Sequence, residues 1–502
     1  MFIKRFHRDP LPWIFLLLGL SLSAGALAEA PTAIVDSDEF RISAMGPDGD
    51  ETFDGRDASV AYDRASNEYL VVWSGDTDDG ELVEGESEIW GQRLDADTGA
   101  PLGARLRLSD MGPDGSTGFS AERPDVAYNP RAGEFLVVWH STDDTIDSTG
   151  EIEIWGQRIE AGTGAEVGSN DFRISNQGPD GASNSDARRP AVAYNPVDDE
   201  YLVVWDGDGG MGLENDEFEI FGQRLEGASG ARLSEENFRI SQMGPDGDDQ
   251  FDAGAPDVAH NVAQNEYLVV WGGDSDEPGD NIFAIWGQVL DGATGEAIGD
   301  HRRISTVTLN NQPNFDTRAP AIAHAVSSNH FLVVFPGDLS GDRELEIFGQ
   351  LVDGETLVDV GFNRQLSDMG PDGNRGFDAE APAVVYAPER QEFQVLWRGD
   401  DNTAPYQNDE FEIFGQRLDA SGSELGGDLG LSRFGPQGQT RFGADSPAAA
   451  VGPGGQVLVV FEGDTDDGER VDDEFEIHGL LPPLFADGFE SGDLSAWSNV
   501  IP

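Results

Sequence analysis

The sequence predicts an all-β fold, a seven-bladed β-propeller of four-stranded antiparallel blades. Three observations predict it. An apolar run ends in an aromatic residue at Trp73, Trp139, Trp205, Trp271, Phe335, Trp397 and Phe461, with spacings of 66, 66, 66, 64, 62 and 64 residues. A period this regular marks a repeat architecture. A second run of the type Ile89-Trp90-Gly91-Gln92-Arg93-Leu94-Asp95 follows each of the seven. The first run (Tyr69-Leu70-Val71-Val72-Trp73) is apolar throughout, whereas a strand wetted on one side alternates. Both faces of its sheet must be covered, and sheets stacked around an axis do that.

Taken in order, residues 1–28 read as a secretory signal peptide. Lys4, Arg5 and Arg8 form the basic end, Trp13 to Leu22 the apolar core, and Ala26-Leu27-Ala28 the small-residue cleavage site. The core is shorter than the about 20 apolar residues of a membrane helix, so no membrane insertion is expected. Residues 29–39 read as a linker, 40–483 as the propeller and 484–502 as a carboxy-terminal tail.

Within one repeat, Asp57 to Tyr62 is the inner strand, Glu68 to Trp73 the second, Glu88 to Asp95 the third and Arg105 to Ser109 the outer. Turns separate them: Gly46-Pro47-Asp48-Gly49 has proline preset at its second position. The last blade runs out of chain after Glu474 to Leu480 and lacks an outer strand. The unpartnered segment Phe40 to Ser43 is expected to fill that place, closing the ring and removing an exposed edge.

Cysteine is absent from the 502 residues, which excludes disulfides and thiol chemistry. The formal charge is −66, from 96 acidic and 30 basic residues. Such a surface repels nucleic acid and anionic membranes, which need positive partners, and collects cations. Lys4 is the only lysine, so cleavage of the signal leaves none for Schiff-base chemistry.

In such blades the outer-to-inner loop and the second-to-third loop share one face, and these are the acidic loops. The first carries the Gly-Pro-Asp-Gly turns with Asp48, Asp246 and Asp372, then Asp54, Asp252 and Asp378 before the inner strand. The second carries Asp76, Asp208, Asp274, Asp338, Asp400 and Asp464, each directly after a glycine. Asp78, Asp79, Asp276, Asp466 and Asp467 crowd the same loops. Calcium takes six to eight oxygen ligands, and closely spaced aspartates supply them. The spacing departs from an EF-hand, and an aspartate recurring in most blades also fits a turn cap. Both roles are open at this stage.

Other recurring residues read as structural. Gln92, Gln157, Gln223, Gln288, Gln350 and Gln416 are expected to satisfy backbone groups between blades, and the tryptophans to pack blade on blade. Departures from the repeat are few: His140, His260, His324, His330, His478 and Arg398. The histidines share no repeat position and show no metal-ligand spacing. No nucleophile elbow, phosphate loop or His-Glu-x-x-His occurs, so no catalytic residue is assigned.

Residues 68–73 and 89–95, with their six copies, resemble secreted bacterial repeat proteins of the pattern Glu-Tyr-Leu-Val-Val-Trp followed by Ile-Trp-Gly-Gln-Arg-Leu-Asp. Phe485 to Trp497 resembles a tail that ends many unrelated secreted bacterial proteins. The resemblance implies the fold and a secreted, cell-surface or periplasmic address, and it implies no activity. The expectation is a monomeric, non-catalytic scaffold whose acidic face binds divalent cations, calcium first, and a surface protein or glycan. The alternatives are a polysaccharide-acting enzyme with its site in the central channel, and a structural envelope protein.

Overall fold

The computed structural model describes residues 33–34, 39–47, 49–77, 82–142, 150–179, 185–210, 212–274, 283–306, 319–338, 344–371, 374, 376–401, 409–434, 442–464 and 474–481. They form seven antiparallel sheets, each ordered from an inner to an outer strand. Blade 1 is Gly55–Asp63, Glu68–Gly75, Glu88–Asp95 and Leu106–Arg107. The inner strands of blades 2 to 7 are Ala121–Asn129, Ala187–Asn195, Ala253–Asn261, Ala321–Ala325, Ala379–Ala387 and Gly443–Val451. Each inner strand packs against that of the next blade, and Gly443–Val451 returns to Gly55–Asp63. The fold is a seven-bladed propeller. No helix among the described residues is long and apolar enough to cross a membrane.

The doubly apolar second strand does what its sequence requires. Tyr69, Val71 and Trp73 pack against Leu458, Val460 and Ile477 of blade 7, while Leu70 and Val72 pack against Val126, Phe135 and Trp139 of blade 2. Such a cluster fills every space between neighbouring blades. Trp73, Trp139, Trp205, Trp271 and Trp397 are fully buried there.

The ring closes as the strand count requires. Phe40 pairs with Gly479 and Arg41 with His478, giving blade 7 its outer strand from the start of the chain. One element departs from the sequence reading. Ala33–Ile34, inside the presumed linker, pairs parallel to Leu429–Gly430 and adds a fifth strand to blade 6. Two residues carry no periodicity to read, but they cover an otherwise open edge.

The glutamines satisfy backbone groups, though within a blade rather than between blades. Gln288 Nε2 donates to Val289 O at 2.9 Å and to Gly299 O at 3.3 Å, where the outer strand bulges away from the third. The bulge leaves carbonyls without ladder partners, and the amide replaces them.

Candidate functional site

The two acidic loops meet in blades 1, 3, 4 and 6. Asp76 Oδ1 accepts from Asp54 N at 3.1 Å and Asp208 Oδ1 from Asp186 N at 2.6 Å. The second oxygens cap the following loop, Asp76 at Gly85 N, Asp208 at Asp216 N and Asp400 at Asp409 N. Asp54, Asp252 and Asp378 reach the preceding blade, accepting from Phe475 N, Phe218 N and Leu345 N. Asp246 accepts from Arg239 at 2.7 Å. Asp274, Asp338 and Asp464 lie buried at the ends of their second strands. Asp54, Asp76, Asp208, Asp252, Asp378 and Asp400 therefore cap turns or tie blade to blade. Asp48, Asp78, Asp79, Asp276, Asp372, Asp466 and Asp467 lie outside the described residues. Among the described residues no group of three or more His, Asp or Glu side chains is arranged to hold a metal.

A different site emerges at the mouth of the channel on this same face. Six of the seven inner strands carry a bulge near their start. Its central residue is left-handed without being glycine: Asp57, Arg123, Arg189, Ala255, Ala381 and Ser446, at φ between 47° and 54°. Each such residue costs roughly 1–3 kcal/mol, and its recurrence makes the bulge part of the scaffold.

Opposite the bulge lies the residue after the second-strand aromatic. In the seven blades it is Ser74, His140, Asp206, Gly272, Pro336, Arg398 and Glu462. No two are alike, on a strand whose other positions hardly change. These residues are woven into the bulges: Glu462 accepts from Asp57 N at 2.7 Å, and Asp206 holds both ends of Arg189 at 2.8 and 2.9 Å. Arg398 pairs with Glu380 at 2.9 Å and Asp445 at 3.3 Å. Burial, then the charges of Arg123, Arg188 and Arg189, push His140 down to about 3, so it is neutral. Arg123 is exposed and makes no ion pair among the described residues.

Below the rim a second column lines the channel: Ser59, Asp125, Ala191, Asp257, Ala321, Ala383 and Ala448. The small residues are the repeat, and the two aspartates break it. Asp125 accepts from Ser59 Oγ and from Val192 N, both at 2.8 Å. Asp257 accepts from Ile322 N at 2.9 Å. Both keep some surface open to the channel while protein surrounds them. Burial, reinforced by the charge of Asp125, pushes Asp257 up to about 7.

Sequence reading singles out His140 and Arg398 but treats them as unrelated. Aligned on the aromatic residue, they fall in one column, and that divergence was the available signal. His260 and His324 are the aromatic replacements expected: each Nε2 meets the asparagine five residues on at 3.1 Å, as Tyr62 meets Asn67 at 2.9 Å.

No protein-family model matches the chain, and no curated protein matches it. Among similar solved structures is an α-L-arabinanase of Penicillium chrysogenum complexed with arabinobiose, at 10% identity and TM-score 0.44, covering 90% of this chain and 98% of that one. An α-L-arabinofuranosidase of Fusarium graminearum stands at 12% and 0.45, covering 76% and 98%. The Dos1 propeller stands at 13% and 0.42, covering 86% and 81%.

Proposed function

We propose that this chain is an exported binding protein that holds an anionic glycan across the loop-face mouth of its channel. One observation carries the reading, the column of seven different residues on an otherwise repeated strand. A position that serves the scaffold repeats with the scaffold. A position that differs in every blade answers to something that lacks the sevenfold symmetry. The sign of the ligand follows from Arg123, an exposed cation that makes no ion pair among the described residues, in a chain of 96 acidic residues. Arginine offers a planar fork that suits carboxylates.

Titration calorimetry against polygalacturonate, alginate and neutral arabinan checks this. The acidic polymers are expected to bind, and Arg123→Glu to weaken them at least about tenfold, or 1.4 kcal/mol. Failure of all three to bind the unaltered protein overturns the reading. The Asp125–Asp257 pair favours a second reading, in which the bound glycan is cleaved. Two carboxyls whose surroundings keep one protonated near neutrality are the parts of a glycosidase. Release of reducing ends that stops in Asp257→Asn while binding persists would establish it.

The acidic loops support a further part of the proposal, that calcium settles on this face. Burial and the charges of Asp409, Asp378 and Asp401 push Asp400 up to about 7, a crowding that a divalent cation relieves. Millimolar calcium is expected to raise the melting temperature above magnesium at matched ionic strength. A hundredfold excess over Kd is worth about 2.7 kcal/mol. Equal effects of the two ions remove calcium from the reading.

A further inference from the structure

In six blades the third strand carries a buried glutamate as its first or second residue, Glu88, Glu153, Glu219, Glu346, Glu412 or Glu476; in blade 4 the residue is Ala284. The glutamate sits in a fixed set of donors, seen complete in blade 3. Ser241 donates its hydroxyl to Glu219 Oε2. Met243 N donates to Oε1 at 2.7 Å, and Arg239 Nη2 donates to the same oxygen at 2.6 Å. Arg239 is itself fixed by its Nε, which donates to Ser241 O at 2.7 Å. Blade 1 repeats every one of these bonds with Ser109, Met111 and Arg107 around Glu88.

Blade 4 keeps the arginine and the serine and drops the acceptor. Arg303 Nε donates to Ser305 O at 2.7 Å, and Ser305 Oγ accepts from Ile285 N at 2.9 Å, so both side chains hold the pose of their counterparts. Arg303 Nη2, the atom that elsewhere reaches the carboxylate, is buried with no hydrogen-bond partner. An orphaned charged donor is costly. Glutamate exceeds alanine by a methylene and a carboxylate, a fragment the size of acetate. A groove of about 470 Å³ between blades 3 and 4 reaches His301, which precedes Arg303 on the same side of its strand. The His301 ring stands edge-on to Trp286 at 5.6 Å.

We infer that blade 4 holds a binding site for a small carboxylate between Arg303 and Ser305, beside Ala284. The other blades supply the precedent, because there the chain's own carboxylate occupies the equivalent place. The ligand is a free acetate-sized anion or the carboxylate of a larger molecule. The site is independent of the channel mouth and of what binds there.

The test is thermal unfolding of the whole protein in sodium acetate against sodium chloride at equal ionic strength, with carbon-13 acetate line broadening as a direct readout. Acetate is expected to raise the melting temperature saturably, by about 1–2 °C. Ala284→Glu should melt higher than the parent and ignore acetate. Arg303→Met should lose the acetate response, and line broadening reports this whatever its stability. Displacement of acetate by glucuronate identifies a larger ligand's carboxylate, and indifference to glucuronate a free small anion. Equal effects of acetate and chloride, or an undiminished response in Ala284→Glu, overturn the assignment.

Discussion

Thermal unfolding of this protein is expected at a higher temperature at pH 5.5 than at pH 8, by roughly 5 °C at matched ionic strength. The cause is a set of carboxyls that burial lifts above their ordinary values. Glu346 is raised from 4.5 to about 8, and Glu412 lies well above 4.5. Glu39, Asp171, Asp428 and Glu462 reach about 7. A group raised on folding binds its proton more tightly in the folded than in the unfolded chain. Its contribution is complete below the unfolded value near 4.5 and disappears as pH rises through the folded value. Stability therefore falls between about pH 4.5 and 8, the reverse of a protein held by salt-bridged carboxylates. Relief of repulsion within a charge of −66 has the same sign.

The repeat explains which glutamates dominate. Glu88 and Glu219 face Arg107 and Arg239, but the same station holds Gln365 in blade 5 and Gly430 in blade 6. Glu346 and Glu412 keep only their serine and backbone donors. The double variant Glu346→Gln with Glu412→Gln mimics the protonated pair. It should gain a few kcal/mol at pH 8, gain little at pH 5.5, and flatten the pH slope. Gln365→Arg restores the missing cation and should also help only at the higher pH. An unchanged slope in the double variant would refute the assignment to these residues.

The architecture was legible because it is repeated: seven copies of a doubly apolar strand admit few arrangements, and the unpartnered Phe40 segment could only belong to the last blade. The bulges were not legible. Arg56-Asp57-Ala58 and Glu122-Arg123-Pro124 share no residue type that signals a left-handed turn, and the register shift appears only when the strands are paired. The acidic loops drew the eye by composition, yet Asp54, Asp76, Asp208, Asp252 and Asp378 accept from backbone amides. The candidate site lies where the repeat fails, in a column whose residues look like noise until their shared position is seen. Asp125 and Asp257 were lost among 96 acidic residues for the same reason.

Starting the chain at Ala44 is expected to abolish the cooperative unfolding of the intact ring or to lower its stability by at least about 5 kcal/mol. The segment removed does more than complete a sheet. Arg41 and Ser43 both hold the carboxylate of Glu476, which is wholly buried, and Ser43 Oγ accepts from Ile477 N at 2.7 Å. Stripping the partners from a buried charge costs about 3–5 kcal/mol, and each lost backbone bond about 1 more. Against a total stability of about 5–15 kcal/mol that is decisive. It also bares the edge Phe475–Leu480, so the truncated chain should self-associate. Arg41→Ala isolates the loss of the cation and should cost about 3 kcal/mol. A synthetic peptide of residues 33–45 added in trans should rebind the open edge and recover the midpoint. A truncated chain that melts with the parent would mean that blade 7 stands on three strands, and that closure contributes direction to the fold but little energy.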